Sequence, residues 1–534
     1  MAEKFLDSRP LRLTPLSPVH VGCGLDYEPT GYVIEGNMLY SFDPARSLSL
    51  DEAKRQELLG IVDSGGSEAI TRLQRFFYGL REQVMAAHIL RLAVGDGVQD
   101  FYATRVGNTQ SGGDRNKLFI ERTQHVAGTE QAILPGSSVK GAIRTALLSR
   151  SHGGKPLQSP QMAERSGDWK KLPPLPETLG QCLPQDFSRD PMRLIHVADA
   201  MPMGGEQART VLFAQNFKRD GKAGRGPYQI LECLEAPAMS PLTGSVAFLD
   251  PGSVGSSREQ LPSVTWKWQD MVTACNDYYL PKLRQELQEL GDLLDQDWLQ
   301  AMRQVLAVLE RADGKAFLLR VGRHSGAEAV TLDGARHIKI MQGKGQNAAW
   351  KCRATTVWLA AERNKQDRQL RPFGWVLVEA PAPGDVSRLE PLAGWSGWAA
   401  QRLGRYRQRL AQSDERLAAL RQRQEEAARK VAEVAAKRQA EAEEKARREA
   451  ELAQLSPVQR RIEVFRGSLD ASGPKQKIGG ALWNEAQALH KECAGWTPQE
   501  KQELREVCEG VLLARLEGVS VKKLQEKMSG LYVP

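Results

Sequence analysis

Hydrophobic and polar positions change period several times along this 534-residue chain. Residues 10–45 alternate over short stretches, as in Arg12-Leu13-Thr14, and bend at the glycines of 22–24, which predicts two strands joined by a turn. Residues 66–95 then place Leu73, Phe76, Phe77, Leu80 and Val84 at helical spacing. A loop rich in Gly, Asn, Ser and Arg is expected over 104–117, a helix over about 134–150, and a Pro/Gly/Ser-rich connection over 151–189. Leu194–Ala200 reads as a strand that ends in a loop at Asp199. Residues 230–235 and 244–249 read as a strand pair across a turn, 268–311 as one or two helices, and 316–321 and 372–379 as closing strands. Strands interleaved with single helices predict an α+β fold, with helices on one face of an antiparallel sheet.

The pattern breaks after Gly404. From there to Leu455 the chain has neither Pro nor Gly, and Ala, Glu, Lys, Arg and Gln dominate. A heptad a/d register can be followed through Leu403/Tyr406, Leu410/Ser413, Leu417/Leu420, Gln424/Ala427 and Val431/Val434. The register lapses at Arg438/Glu441 and Lys445/Arg448 and returns at Leu452/Leu455. This predicts a charged helix about 75–80 Å long at ~1.5 Å per residue, a single helix or an imperfect hairpin rather than a strong dimeric coiled coil. Beyond Ser456-Pro457 a small helical module is expected. It carries Ile462, Phe465, Leu482, Trp483, Leu489, Trp496, Leu504, Val507 and Leu512, more apolar residues than a disordered tail would hold. The expected boundaries are therefore 1–150, 151–395, 396–455 and 456–534.

Composition adds limits. The chain is 41% hydrophobic and 26% charged, with a net charge of +8, which permits an anionic partner without requiring one. It has no run of 18 apolar residues, and its first residues lack the hydrophobic stretch of a secretion signal, so a cytoplasmic protein without a membrane span is expected. The cysteines number seven and include no Cys-x-x-Cys pair. They read as reduced thiols, with no disulfide framework, zinc site or other metal site, and no cofactor is expected.

The most informative stretch is Ile133-Leu134-Pro135-Gly136-Ser137-Ser138-Val139-Lys140-Gly141-Ala142-Ile143-Arg144-Thr145. An apolar run ends in a Pro-Gly-Ser-Ser turn, and a helix opens with Lys140 and Arg144 on one face. Backbone N–H groups at a helix start, two hydroxyls and two cations suit a phosphate. The Gly-Lys-Ser/Thr ending of a nucleotide P-loop is missing, which favours a nucleic-acid backbone over ATP. A plain helix cap with two solvated cations would have the same sequence. Further basic, glycine-rich stretches hold Lys218, Arg219, Lys222 and Arg225, and Arg320, Gly322, Arg323, His324 and Gly326.

The Pro-Gly-Ser-Ser-x-Lys-Gly-x-x-Arg-Thr run resembles the signature of the RAMP superfamily of CRISPR proteins. The opening Leu13-Thr14-Pro15-Leu16-Ser17-Pro18-Val19-His20-Val21-Gly22-Cys23-Gly24, the turn Leu319–Gly326 and the strand Pro372–Val378 resemble that superfamily in the same order. Together the order is similar to the fifth-subunit family of the type III-A Csm effector. The resemblance covers scattered stretches of residues 11–380. It implies two ferredoxin-like, RNA-recognition-like modules. It also implies a noncatalytic subunit that binds the 3′ part of a guide RNA, joins other effector subunits and supports guide maturation through recruited nucleases in antiviral defence. The RNA-binding residues would be Gly136, Ser137, Ser138, Lys140, Arg144, His20, Lys218, Arg219, Lys222, Arg225, Arg320, Gly322, Arg323 and Gly326.

Two other readings stay open. His20 precedes a glycine turn, an exposed place near RNA in this reading, and a His near pKa 6.5 suits proton transfer in a metal-independent ribonuclease. Alternatively, residues 400–534 act as a protein-interaction scaffold. Gly112-Gly113-Asp114-Arg115 lacks the second acidic residue of a two-metal palm motif, and none of the histidines is followed by Asp.

Overall fold

In the computed structural model, described residues are 6–45, 48, 50–107, 118–156, 177–184, 186–202, 209–222, 228–235, 242–250, 261–310, 314–340, 349–381 and 393–529. They fall into two compact units, Met1–Arg421 and Gln422–Pro534. The strands of the first unit are β1 (Leu6–Pro15), β2 (Gly22–Tyr27), β3 (Tyr32–Glu35), β4 (Met38–Ser41), β5 (Leu90–Val94), β6 (Ile120–Thr123), β7 (Ile195–Val197), β8 (Met201–Pro202) and β9 (Arg209–Lys218). They continue with β10 (Gln229–Leu234), β11 (Leu242–Leu249), β12 (Ala316–Arg320), β13 (Ile338–Ile340), β14 (Ala349–Lys351), β15 (Thr356–Ala361), β16 (Arg371–Pro372) and β17 (Trp375–Glu379).

One sheet has the order β12-β17-β1-β11-β7, every pairing antiparallel, with β8 also on β11. The helix Gly136–His152 lies between β1 and β7 in the chain, and Trp268–Glu289 and Gln296–Leu309 lie between β11 and β12. Read as β17-β1-β11-β7, this is the 4-1-3-2 order of a ferredoxin-like βαββαβ unit. The second of those helices reverses the chain, so β12 becomes an added edge beside β17. The strands are apolar on both faces where helices cover them: β12 and β17 are buried along their whole length.

The second sheet runs β2-β6-β10-β9-β5-β4-β3, with β15 and β16 joined through β9. The long β9 pairs with β5 at its start and with β15 along its later half. The fold is thus α+β, as expected, but both sheets mix strands from either side of residue 150. The modules expected at 1–150 and 151–395 are interleaved, because β1 finds its partners in β11 and β17. The expected hairpin of 230–235 with 244–249 does not form either: β10 pairs with β9 and β6, whereas β11 pairs with β1 in the other sheet.

The helix Ala393–Gln454 begins inside the first unit. Leu410, Leu417 and Leu420 are buried with Val33, Tyr40, Phe76, Phe77 and Met85, and Ser413 shares a 2.9 Å hydrogen bond with the Tyr40 hydroxyl. These are the a/d positions of the heptad pattern. They pack on the sheet and on the helices Gly66–Gly79 and Arg81–Ala86 of the first unit. The composition break at Gly404 therefore does not mark the edge of the core.

In the second unit, Val431 and Val434 are exposed. Helices Pro457–Asp470, Ala481–Glu492 and Pro498–Val507 and the short helix Val521–Lys527 enclose Ile462, Phe465, Trp483, Leu489, Leu504, Val507, Leu512 and Leu524. Trp496 is partly buried against that core. Two of the helices start with Pro behind a capping box, Ser456 with Gln459 and Thr497 with Glu500. Among the described residues no helix is long and apolar enough to cross a membrane.

Candidate nucleic-acid interface

The Pro-Gly-Ser-Ser turn does open a helix, Gly136–His152, with Pro135 at the cap. Gly136 is needed for close packing: a Cβ there would run into the Val197 carbonyl oxygen and the Ala198 backbone. Its N–H donates to Asp199 Oδ1 at 2.7 Å. An internal carboxylate therefore takes the anion position that the sequence assigned to a phosphate. The Ser138 and Val139 N–H groups donate to the Pro135 carbonyl at 3.0 and 3.2 Å, while Ser137 is exposed and Ser138 half-buried.

Arg144 is not a free cation. Its Nη2 lies 2.7 Å from Asp190 Oδ2, and Asp190 also caps the short turn Pro191–Leu194 through the Met192 N–H. Lys140 is half-buried. Burial lowers its pKa, Asp190 opposes that shift and Arg144 adds to it.

The first and last glycine turns meet. The Arg323 N–H donates to the His20 carbonyl at 2.8 Å, and a Cβ on Gly322 (φ +80°) would run into that same oxygen. Gly322 is thus required by chain-to-chain contact rather than by a bound anion. Gly326 leads into the short turn Ala327–Ala329.

His20 is fully buried, which corrects its expected exposure. Its Nδ1–H donates to the Glu232 carbonyl at 2.7 Å, and among the described residues its Nε2 has no partner. Desolvation lowers its pKa against the opposing Glu232 hydrogen bond. Its burial leaves the imidazole no exposed face in this structure. Glu232 is itself buried: Oε1 takes Arg209 at 2.8 Å and Oε2 accepts the Thr123 N–H at 3.1 Å.

The same turn extends over the second sheet. His324 stacks on Trp358 with centroids 4.5 Å apart and donates from Nε2 to Gln229 Oε1 at 2.7 Å. Burial, with Arg323 and His20 nearby, pushes its pKa down to about 3. Arg323 remains 40% exposed and pairs with Glu121.

Other expected contacts are occupied from within. Arg320 is buried against Glu286 at 2.9 Å, donates to the Phe373 carbonyl at 3.0 Å and lies over the Trp375 ring. Arg219 holds the Ala354 carbonyl, Glu289 and Glu328 at 2.8–3.1 Å. Burial closes Arg320 off from solvent, while Arg219 is half-buried and pairs with internal carboxylates. Lys218 and Lys222 are exposed, with Lys222 Nζ 3.7 Å from Asp220. Arg225 lies outside the described residues. Of the residues read from sequence, Lys218, Lys222 and Arg323 are exposed cations, Lys140, Arg144 and Arg219 are half-buried ones, and Ser137 is exposed.

Sequence reasoning missed Glu121, Gln229, Glu232 and Trp358. These come together only through the pairing of β2, β6, β10, β9 and β15, and no local motif flags them. Asp199 was legible as a strand-ending acid, but its bond to Gly136 was not.

The fold and site define an α+β protein with a ferredoxin-like sheet, a second open sheet and glycine turns gathered between them. No family model matches the chain, and no curated protein does. It is similar to a chain in a cryo-EM structure of a Csm–crRNA–target RNA ternary complex of a type III-A CRISPR-Cas system, at 15% identity and TM-score 0.41 over 70% of this chain and 100% of that one. It is also similar to the crystal structure of T. onnurineus Csm5, at 17% identity and TM-score 0.41 over 69% of this chain and 99% of that one.

Proposed function

We propose that this chain is a noncatalytic RNA-binding subunit of a type III-A CRISPR effector, capping its backbone at the 3′ part of the guide RNA. The observation that carries this reading is the meeting of the two glycine turns. Arg323 N–H on His20 O joins the motif at 19–24 to the motif at 320–326, beside the open face that holds Arg323, His324 and Gln229. Both motifs were read from sequence as those of the RAMP superfamily, and their joining is what a shared RNA-facing surface needs. Binding would run through phosphates, with Lys140, Lys218, Lys222 and Arg323 as the contacting cations and Ser137 as a hydroxyl donor. Other effector subunits and recruited nucleases are the proposed partners in guide maturation and antiviral defence.

The noncatalytic part rests on the burial of His20, which leaves the ribonuclease reading without an accessible base. The test incubates the full chain with guide-precursor RNA, with and without EDTA. Stable complexes without cleavage are expected. Metal-independent cleavage that His20→Ala abolishes by 10²-fold or more, with binding retained, would match removal of a general acid or base and reinstate the enzyme.

A further inference from the structure

Strand β2 leaves regular pairing between Gly22 and Asp26: Gly22 faces Thr123 and Asp26 faces Glu121, so Cys23, Gly24 and Leu25 bulge opposite Arg122. Leu25 in the bulge is 55% exposed, and Phe119, just before β6, is 41% exposed. Between them and Tyr228, Gln229 and Ile230 lies an open groove of about 460 Å³, within the roughly 300–1,000 Å³ of small-ligand sites. Its lining mixes apolar and aromatic side chains with the polar Asp26, Glu121, Arg122 and Gln229.

The polar groups at the groove are fixed by neighbours outside it. His324 holds Gln229 Oε1, which turns the amide NH2 away from His324 as a remaining donor. Glu121 is paired with Arg323. Arg122 lies over the Tyr27 ring and pairs with Glu130 at 2.5 Å. Asp26 is exposed and makes no ion pair among the described residues. The groove thus offers a stacking wall, one carboxylate acceptor and one amide donor. Asp26, the carboxylate without an ion pair among the described residues, repels a phosphate, so the base, not the backbone, is the complementary part of a nucleotide.

We propose that this groove takes one unpaired nucleobase and prefers guanine. Guanine carries two donors, N1–H and the N2 amine, beside the O6 acceptor. Asp26 takes the donors, Gln229 gives to O6, and Phe119 stacks on the ring. Uracil presents one donor between two acceptors, which would set a carbonyl against Asp26. The inference rests on the RNA-binding reading and adds a point of base selection to it.

The test is fluorescence anisotropy with the full chain and two labelled single-stranded RNAs, all-uridine and the same length with one central guanosine. The guanosine RNA should bind about tenfold more tightly, equal to about 1.4 kcal/mol. Asp26→Asn should remove that preference, so that the two RNAs bind alike, and Phe119→Ala should weaken the guanosine RNA about tenfold. Equal wild-type affinities, or a preference that survives Asp26→Asn, would overturn the pocket while the RNA-binding reading stands. Should Phe119→Ala fail to fold, the exposed Asp26 variant decides alone. No binding of either RNA sinks both readings.

Discussion

Asp199 closes the start of the helix at Gly136, its Oδ1 accepting the Gly136 N–H at 2.7 Å. The carboxylate interacts with the positive end of the helix dipole and occupies a donor that a phosphate would otherwise use. Asp199→Ala should lower stability by about 1 kcal/mol, as loss of a helix-start acceptor does. It should also tighten RNA binding at low salt, because a negative charge at the helix start is gone. Chemical denaturation and filter binding of the same variant check both halves, and weaker RNA binding would show that Asp199 supports the RNA site.

Arg320 and Glu286 are 8% and 6% exposed at the side chain and joined at 2.9 Å, with the Trp375 indole N–H donating to Glu286 at 2.7 Å. Removing one member of such a pair leaves the other charge buried, at a cost of about 3–5 kcal/mol. Arg320→Ala should therefore act on folding, lowering the thermal midpoint of the first unit. A fully folded variant with reduced RNA affinity would return Arg320 to the binding surface.

Mild acid should destabilise the first unit through His324. The unfolded side chain takes a proton near pH 6.5, whereas burial and the nearby Arg323 and His20 hold the folded one at about 3. Between those values the unfolded state binds more protons, so stability falls as pH falls. Thermal midpoints at pH 7 and pH 5 should show the loss, and His324→Asn should reduce it. Equal pH sensitivity in that variant would place the titrating group elsewhere.

Cutting the chain near residue 404 should damage the core, whereas ending it at 421 should not. Leu410, Leu417 and Leu420 are 7%, 4% and 5% exposed, each worth about 1.5–3 kcal/mol of burial. Fragment 1–421 should melt cooperatively and fragment 1–404 should be less stable or unfolded. Equal stability of the two by circular dichroism would mean that residues 405–421 add nothing to the core.

Local chemistry was the legible part of this fold. Pro135-Gly136 marked the helix start, the apolar runs at 316–321 and 372–379 marked β12 and β17, and the heptad register picked out Leu410, Ser413, Leu417 and Leu420. What those residues meet was not legible, since pairing is decided by the sheet as a whole. The register predicts an apolar seam but is silent on whether a helix or a sheet fills it. The internal partners of the arginines were not legible: Arg144, Arg219 and Arg320 meet Asp190, Glu328 and Glu286, which are distant in sequence and adjacent only after folding.

RNA affinity measured against salt bears most directly on the proposed function. The full chain should bind single-stranded guide RNAs of unrelated spacer sequence with one common log–log salt slope, and Lys140→Ala should reduce that slope by about 0.7, one phosphate contact. Binding that is absent, or that does not change with salt, would contradict a subunit that holds its guide by the backbone.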